Sequence, residues 1–544
     1  NVEMRNAVQE ILNDRSNLQV DDTSVDETDS DGVPLLQASA TIIDYKTGQV
    51  KVLIGGRGNQ PPTSLNRAYF DLKSIGSTTK PLTVYGPAID TKLITAGTPL
   101  DDTSVSDEIL KKYNFGSVVP KNANGSMAGY VTAREALTYS KNLTSIKTVD
   151  MLGLDTALDY GEKSGLKYAS ESHTMSALAL GQFEQPIGNR DGGNTTILAS
   201  AYGAFGNNGV RYEPILYTRV EDASGNVLLE KEPETINLFS PQTSYIIYDI
   251  LKGSSSSAEF SDIPVAGKTG TTNSSDNFWF AGLTPYYSGS VWIGYDNPKR
   301  MSGKSSSAAS LFGKIMAVAH EGLEYKDIDA PSGLVQAKVC KDSGKSPTDL
   351  CYEDQRGNRV KTEYFIKGTE PKSVCDVHVS VAVNSSNNKL ATENTPASLL
   401  VNKVFIKKPN ANPNADDYPF VVPTQEDDTQ AEEYIDLSQI GLRANMDLLD
   451  AIVILNNRGI KYSFNGLSVS GNITSGQYTL VSYTEKIKSD ETVELKIKAT
   501  TNTPDEDIGN NDNTNDTTND NTSPESDTDV QRNSITNIIN GIFN

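Results

Sequence analysis

The stretch Ile75-Gly76-Ser77-Thr78-Thr79-Lys80-Pro81 makes the strongest demand on the fold. A serine and a lysine three residues apart share one face of a helix, so the amine lies within reach of the hydroxyl. A hydroxyl attacks only when a neighbouring base takes its proton, and a lysine stripped of water can be that base. Gly76 permits a tight backbone entry. Ser77 then sits in the first helical turn, facing unpaired N–H groups and the positive end of the dipole. Gly86-Pro87 is expected to bend or stop this helix. The same Ser-x-x-Lys spacing occurs at Ser164–Lys167 and Ser386–Lys389, where it reads as a solvated helix face. What distinguishes Ser77 lies downstream.

A chain of 544 residues has room for more than one domain. Its net charge of −22 argues against nucleic acid or an anionic membrane surface as main partner. No apolar run is long enough to span a bilayer, and no charged-then-apolar leader stands at Asn1. The chain is therefore expected to begin within a longer protein or after processing. With three histidines (His173, His320, His378), histidine-based catalysis has little room.

Taken in order, Met4, Val8, Ile11 and Leu12 mark a short amphipathic helix, followed by an acidic linker. Ala38–Asp44 and Val50–Ile54 alternate as strands around the hairpin turn Tyr45–Gly48. From Ala133 to Gly165 the pattern is helical, with Ser140-Lys141-Asn142 inside it. Met175–Gly181 and Ile197–Phe205 read as core helices. Lys268-Thr269-Gly270-Thr271 opens a strand, and two aromatic-rich strands, Phe278–Leu283 and Ser290–Tyr295, follow it as antiparallel neighbours. An identical Lys-Thr-Gly at Lys46–Gly48 serves as a turn and lacks the fourth threonine. These segments give 1–34 as a junction, 35–330 as the main domain and 331–408 as its cysteine-containing extension. A linker at 409–432 leads to a small α+β domain at 433–498, with a helix at Met446–Asn457, and to a disordered Asn/Asp/Thr-rich tail at 499–544.

Three short motifs thus occur in one order: Ser77-Thr-Thr-Lys80, Ser140-Lys-Asn142 and Lys268-Thr-Gly-Thr271. With Ile43-Asp44, Gly55-Gly56-Arg57, Asn66-Arg67-Ala68 and Trp279-Phe-Ala-Gly-Leu-Thr-Pro285 around them, the chain resembles the transpeptidase domain of class A penicillin-binding proteins. The resemblance runs from about Leu35 to Tyr325. It departs from the family in Thr78-Thr79, where a bulkier pair is common, and in Lys141, an extra cation in the second motif.

The resemblance implies a mixed α/β (α+β) fold like that of penicillin-binding proteins and serine β-lactamases, an antiparallel sheet flanked by helices. It implies a catalytic set of Ser77, Lys80, Ser140 and Lys268, with Asn142, Thr269 and Thr271 binding substrate. The backbone N–H groups of Ser77 and Thr271 would form the oxyanion hole. The implied partners are peptidoglycan stem peptides, as D-alanyl-D-alanine donor and amine acceptor, and β-lactam antibiotics, with no catalytic cofactor. Family members carry a membrane anchor and a glycosyltransferase domain ahead of this region and work outside the cytoplasm, so the full-length protein is expected to be membrane-anchored. Two other readings stay open. One is a hydrolytic D,D-carboxypeptidase or β-lactamase-like enzyme; the other is a non-catalytic penicillin-binding scaffold or sensor.

The three cysteines, Cys340, Cys351 and Cys375, all lie outside the motifs, with His378 three residues after the last. Outside the cytoplasm one pair among them is expected to form a disulfide. A zinc site made by Cys340, Cys351, Cys375 and His378 is the alternative. The unit at 433–498 is similar in outline to small PASTA-type repeats, and equally to a generic α+β accessory domain.

Overall fold

The computed structural model describes residues 1–20, 27–184, 191–429, 434–465 and 473–500. The chain divides into two compact units, Asn1–Ala431 and Glu432–Asn544. The tail expected at 499–544 lies, beyond residue 500, outside the described residues, as does part of the acidic linker before Asp31.

The first unit is built on a five-stranded antiparallel sheet. Its strands are β1 (Leu36–Asp44), β2 (Gln49–Ile54), β3 (Ala266–Thr271), β4 (Asn277–Leu283) and β5 (Ser288–Tyr295), in the order β2-β1-β5-β4-β3. The hairpin between β1 and β2 turns where expected, with Gly48 at φ +72° and its N–H donating to Asp44 O at 2.8 Å. The β3–β4–β5 meander is also as expected. The closing pair, β1 against β5 with Ala38 opposite Ile293, joins segments some 250 residues apart and has no local sequence signal. Both faces of the sheet are covered, so its three central strands, β1, β5 and β4, run almost continuously buried rather than alternating.

On one face lie α1 (Val2–Asn13) and the C-terminal helix of the unit, Ser306–Ala319, packed with Val52, Phe280 and Ile293. The expected junction is therefore part of the unit. Val8 and Leu12 are fully buried, and the buried Arg57 guanidinium donates to Leu12 O, Asn13 O and Leu36 O. A cation there satisfies the unpaired carbonyls at the end of α1.

The other face carries the Ser77 segment and the helices around it: α2 (Ala133–Thr138), α3 (Asn142–Leu152), α4 (Met175–Leu180), α5 (Thr195–Gly203) and α6 (Pro241–Lys252). Trp279 and Phe280 are core residues; Trp279 Nε1 donates to Ser74 O at 3.0 Å. The uninterrupted helical pattern expected over Ala133–Gly165 is broken twice, at Ser140 (φ +57°) and at Gly153 (φ +89°). At the first break Ser140 N–H donates to Leu137 O and Lys141 N–H to Ala136 O. This is the glycine-type helix ending, here carried by a serine. Apolar periodicity continues through it, which hides it from the sequence.

The extension forms two hairpins, Leu334–Cys340 with Val360–Ile366 and His378–Asn384 with Leu400–Ile406. It is tied to the helical face by Arg134, which bonds Glu363 at 2.7 Å and Asp249 at 2.6 Å. The disulfide expected here is absent: Cys340, Cys351 and Cys375 are all free, with the Cys340 and Cys375 sulfurs 3.7 Å apart. Residues 409–429, expected as a linker, are folded into the same unit. Asp417 is buried, accepting from Lys408 Nζ at 2.7 Å and Tyr130 N–H at 2.9 Å, and Asp427 accepts from Asn384 and Thr395. The polar composition that suggested a linker is there to make these bonds.

Among its described residues the second unit has one helix, Leu448–Asn456, capped by Asp447, and a three-stranded sheet of Tyr462–Asn465, Val493–Ala499 and Tyr478–Tyr483 around its own core of Leu448, Leu455, Leu480 and Leu495. Among the described residues no helix is long and apolar enough to cross a membrane.

Candidate active site

Ser77 starts a helical segment made of three short pieces. Gly76–Thr79 is a 3₁₀ turn, Pro81–Tyr85 a wide turn of π type, and Gly86–Asp90 an α turn. Gly86-Pro87 does not stop this helix. The wide turn absorbs the proline, with Gly86 N–H donating five residues back to Pro81 O. The segment is anchored by hydroxyls: Thr78 Oγ1 donates to Ile75 O, Thr79 and Thr83 share a bond, and Tyr85 Oη meets Thr144 on α3.

Glycine fixes how the motifs approach one another. At Gly76 (φ +57°) an added Cβ would stand 2.5 Å from Thr271 O, and at Gly181 one would stand 2.1 Å from Gly76 O. Side chains are excluded at both places, so the start of the Ser77 segment, the end of α4 and the end of β3 touch through backbone. Ser77 and Thr271 are neighbours because of it.

Lys80 is fully buried. Its Nζ donates to Ser140 O and Asn142 Oδ1, both at 2.7 Å, to Lys141 O at 3.2 Å, and lies 3.4 Å from Ser140 Oγ. The amine therefore joins the first motif to the second, and among the described residues it makes no hydrogen bond to Ser77 Oγ. Burial, followed by the charge of Lys268, holds Lys80 well below the usual lysine range, with Asp102 opposing. Lys268 is equally enclosed, donating to Thr269 O at 3.1 Å, and burial pushes it down to about 7.

The extra cation of the second motif does not enter the site as a free charge. Lys141 Nζ pairs at 2.8 Å with Asp102, which also accepts from Asn122 and Ala128 N–H. Asn122 Oδ1 in turn accepts from Asn142 N–H at 2.8 Å. Asp102 and Asn122 thus set the second motif, and nothing local in Leu100-Asp101-Asp102 marks that role.

A cleft of about 950 Å³ is lined by Ser77, Ser140, Asn142, Thr269 and Thr271. Lys80 and Lys268 stand behind this wall rather than in it. Thr269 and Thr271 share one face of β3, as period-two alternation requires, and that face is the cleft. Further wall comes from Gln182, Asn273 and Tyr139, and from Arg356 and Arg359 of the extension. None of these lay in a motif. Five of the seven motif residues line the cleft and the two lysines stand behind them; the cysteine cluster lies apart from it in the extension.

The family model of the penicillin-binding protein transpeptidase domain matches residues 38–317, and that of the penicillin-binding protein 1A C-terminal domain matches residues 330–380. Penicillin-binding protein 1A of Clostridium perfringens is 50% identical over 402 residues, covering 72% of this chain and 48% of that protein. Penicillin-binding protein 1A/1B of Bacillus subtilis is 31% identical over 363 residues, covering 62% of this chain and 38% of that protein. The crystal structure of penicillin-binding protein 1A from Haemophilus influenzae shares the fold with a TM-score of 0.52 at 20% identity, over 64% of this chain and 57% of that one. The chain spans about half the length, or less, of the curated relatives it matches. With a transpeptidase-domain match across 38–317 and the three motifs gathered at one cleft, the chain belongs to the penicillin-binding protein transpeptidase family.

Proposed function

We propose that this chain is the D,D-transpeptidase part of a peptidoglycan synthase, acting through a Ser77 acyl-enzyme. The observation that carries the reading is the buried Lys80 amine, bonded to Ser140 and Asn142 and held below its usual proton affinity, three residues from a cleft-lining serine. A neutral amine has two N–H donors and one lone pair. Ser140 O and Asn142 Oδ1, both at 2.7 Å, take the two donors, the longer contact to Lys141 O at 3.2 Å is given up with the third proton, and the lone pair is left for a hydroxyl proton.

Neutral Lys80 takes the Ser77 proton as Oγ attacks the carbonyl between two D-alanines at the end of a stem peptide. The tetrahedral oxyanion is held by the N–H groups of Ser77 and Thr271, each such donor contributing about 3 kcal/mol. Ser140 passes the proton from Lys80 to the departing D-alanine amine, and the ester on Ser77 remains. Thr269 and Thr271 hold the terminal carboxylate by hydroxyl donors, with the Lys268 charge behind them, and Asn142 positions Lys80 and the substrate backbone. An amine of a second stem peptide then attacks the ester, gives up its proton along the same path and frees Ser77 as the cross-link forms. A β-lactam enters as a copy of the D-alanyl-D-alanine end and leaves Ser77 acylated. The substrate lies outside the cytoplasmic membrane, so the domain works on that face.

The test is D-alanine release from a stem pentapeptide, with and without an acceptor amine. Cross-linked product that rises with acceptor supports the reading. Release unaffected by acceptor, with only hydrolysed peptide formed, would make the chain a carboxypeptidase. Release that stops at about one D-alanine per chain, with the peptide left on Ser77, would make it a sensor.

A further inference from the structure

Four side chains from three separate loops meet inside the extension. Cys340 ends the strand 334–340, Cys351 sits in a short 3₁₀ turn, Cys375 precedes the next hairpin and His378 begins it. All are buried, and their ligand atoms lie within 4.8 Å of one another. We infer that Cys340, Cys351, Cys375 and His378 form a tetrahedral zinc site that holds one wall of the Ser77 cleft.

Distances favour a metal over a disulfide. Tetrahedral zinc, with Zn–S of about 2.3 Å and Zn–N of about 2.0 Å, places two sulfurs about 3.8 Å apart and a sulfur and nitrogen about 3.5 Å apart. The Cys340 and Cys375 sulfurs are 3.7 Å apart, and each is 3.5 Å from His378 Nδ1. These match three edges of such a tetrahedron, and the Cys351 sulfur lies within 4.8 Å of all three atoms. A disulfide would use two sulfurs and leave a third thiol and an imidazole nitrogen buried at the same point.

The surroundings fit as well. His378 Nε2 donates to Asp354 at 2.9 Å, so its Nδ1 lone pair faces the sulfurs. A carboxylate behind a histidine in this way fixes the tautomer that binds metal. The turn after Cys340 is closed by Gly344 N–H to Cys340 O and Cys340 N–H to Lys345 O. Arg359 N–H donates to Cys351 O, and Ser346 O accepts from Cys375 N–H. The three loops are thus cross-braced by backbone. As Zn²⁺ binds, three thiol protons leave and the cluster carries one net negative charge.

The same carboxylates reach the cleft. Asp354 binds Arg356, and Asp342, 3.4 Å from His378 Nε2, binds both Arg356 and Arg359. Both arginines line the cleft. The metal holds His378, His378 holds Asp354, and the carboxylates hold the arginines. This stands apart from the chemistry at Ser77 and is read out without any assay of it.

The test is the metal content of the full chain, purified from zinc-supplemented medium without chelator. Elemental analysis should find about one zinc per chain, and cobalt(II) exchanged into the site should give the visible absorption of a tetrahedral thiolate complex. Asp354→Asn keeps the ligands and should weaken zinc about 10- to 100-fold in competition with a chromogenic chelator. Cys375→Ser and His378→Gln should abolish the cobalt spectrum. Should those variants not fold, chelator treatment of the wild type gives the same answer, by exposing three alkylatable thiols where zinc had protected them. Zinc-free protein with an intact mass two hydrogens short would show a disulfide and overturn the proposal. Zinc-free protein with three reactive thiols would overturn it equally.

Discussion

Lys80 Nζ donates to Asn142 Oδ1 at 2.7 Å, so the first and second motifs are joined by a hydrogen bond from a buried lysine to a half-buried asparagine 62 residues apart. Removing the acceptor in Asn142→Ala costs a bond to a titrating amine, about 1.5–3 kcal/mol. The rate of acylation by a β-lactam should fall about 10- to 100-fold, measured by stopped-flow fluorescence. Loss confined to KM for peptide substrates, with β-lactam acylation unchanged, would limit Asn142 to substrate binding.

Ser140 holds a left-handed backbone, φ +57°, to end α2. That conformation costs a side-chain-bearing residue about 1–2 kcal/mol, and glycine escapes it. Ser140→Gly should therefore be more stable than Ser140→Ala by about 1 kcal/mol in urea unfolding. Both lose the hydroxyl and should lose acylation alike. Equal stabilities would contradict the strain.

Lys268 couples the site to pH. Its folded proton affinity is lowered from 10.5 to about 7 by burial. Between those values the unfolded chain holds a proton that the folded chain has released, so stability rises with pH across the window. The slope is at most about 1.4 kcal/mol per pH unit from this group. Lys268→Met should remove this share of the slope and leave that of Lys80, which burial also lowers, as measured by denaturant midpoints from pH 7 to 10. An unchanged slope would mean that Lys268 is not the titrating group.

Lys141 and Asp102 form a pair in which Asp102 is wholly enclosed. Asp102→Asn leaves the amine without its counter-charge and should cost about 3 kcal/mol. The double variant with Lys141→Met should recover much of that. Asp102 also favours the charged form of Lys80. Its loss should move the rising limb of the acylation pH profile to lower pH, whereas an alkaline move would reverse the assigned electrostatics.

Much of this site was legible because its chemistry sits in contiguous motifs. Ser77 with Lys80, Ser140 with Asn142, and Lys268 with Thr271 are each within four residues, and the resemblance orders them. Local patterning also gave the β1–β2 hairpin and the β3–β4–β5 meander. What remained hidden depends on contacts between distant segments. The β1–β5 pairing needs the whole domain, and Asp102 gains meaning only opposite Lys141. The break at Ser140 was masked because apolar periodicity continues through it and a serine stands where glycine is usual. Asp417 and Asp427 read as linker because buried carboxylates and solvated ones look alike in a sequence. The cysteine count pointed first to a disulfide, with a metal as the alternative, and the meeting of four side chains is what turns the proposal toward the metal.

The account stands on Ser77 being the group that is acylated. Fluorescent penicillin should label the wild-type chain, with the adduct mapped by peptide mass to Ser77, and Ser77→Ala should carry no covalent label while keeping its thermal unfolding midpoint. Label retained in Ser77→Ala, or mapped to any other residue of the wild type, would contradict it.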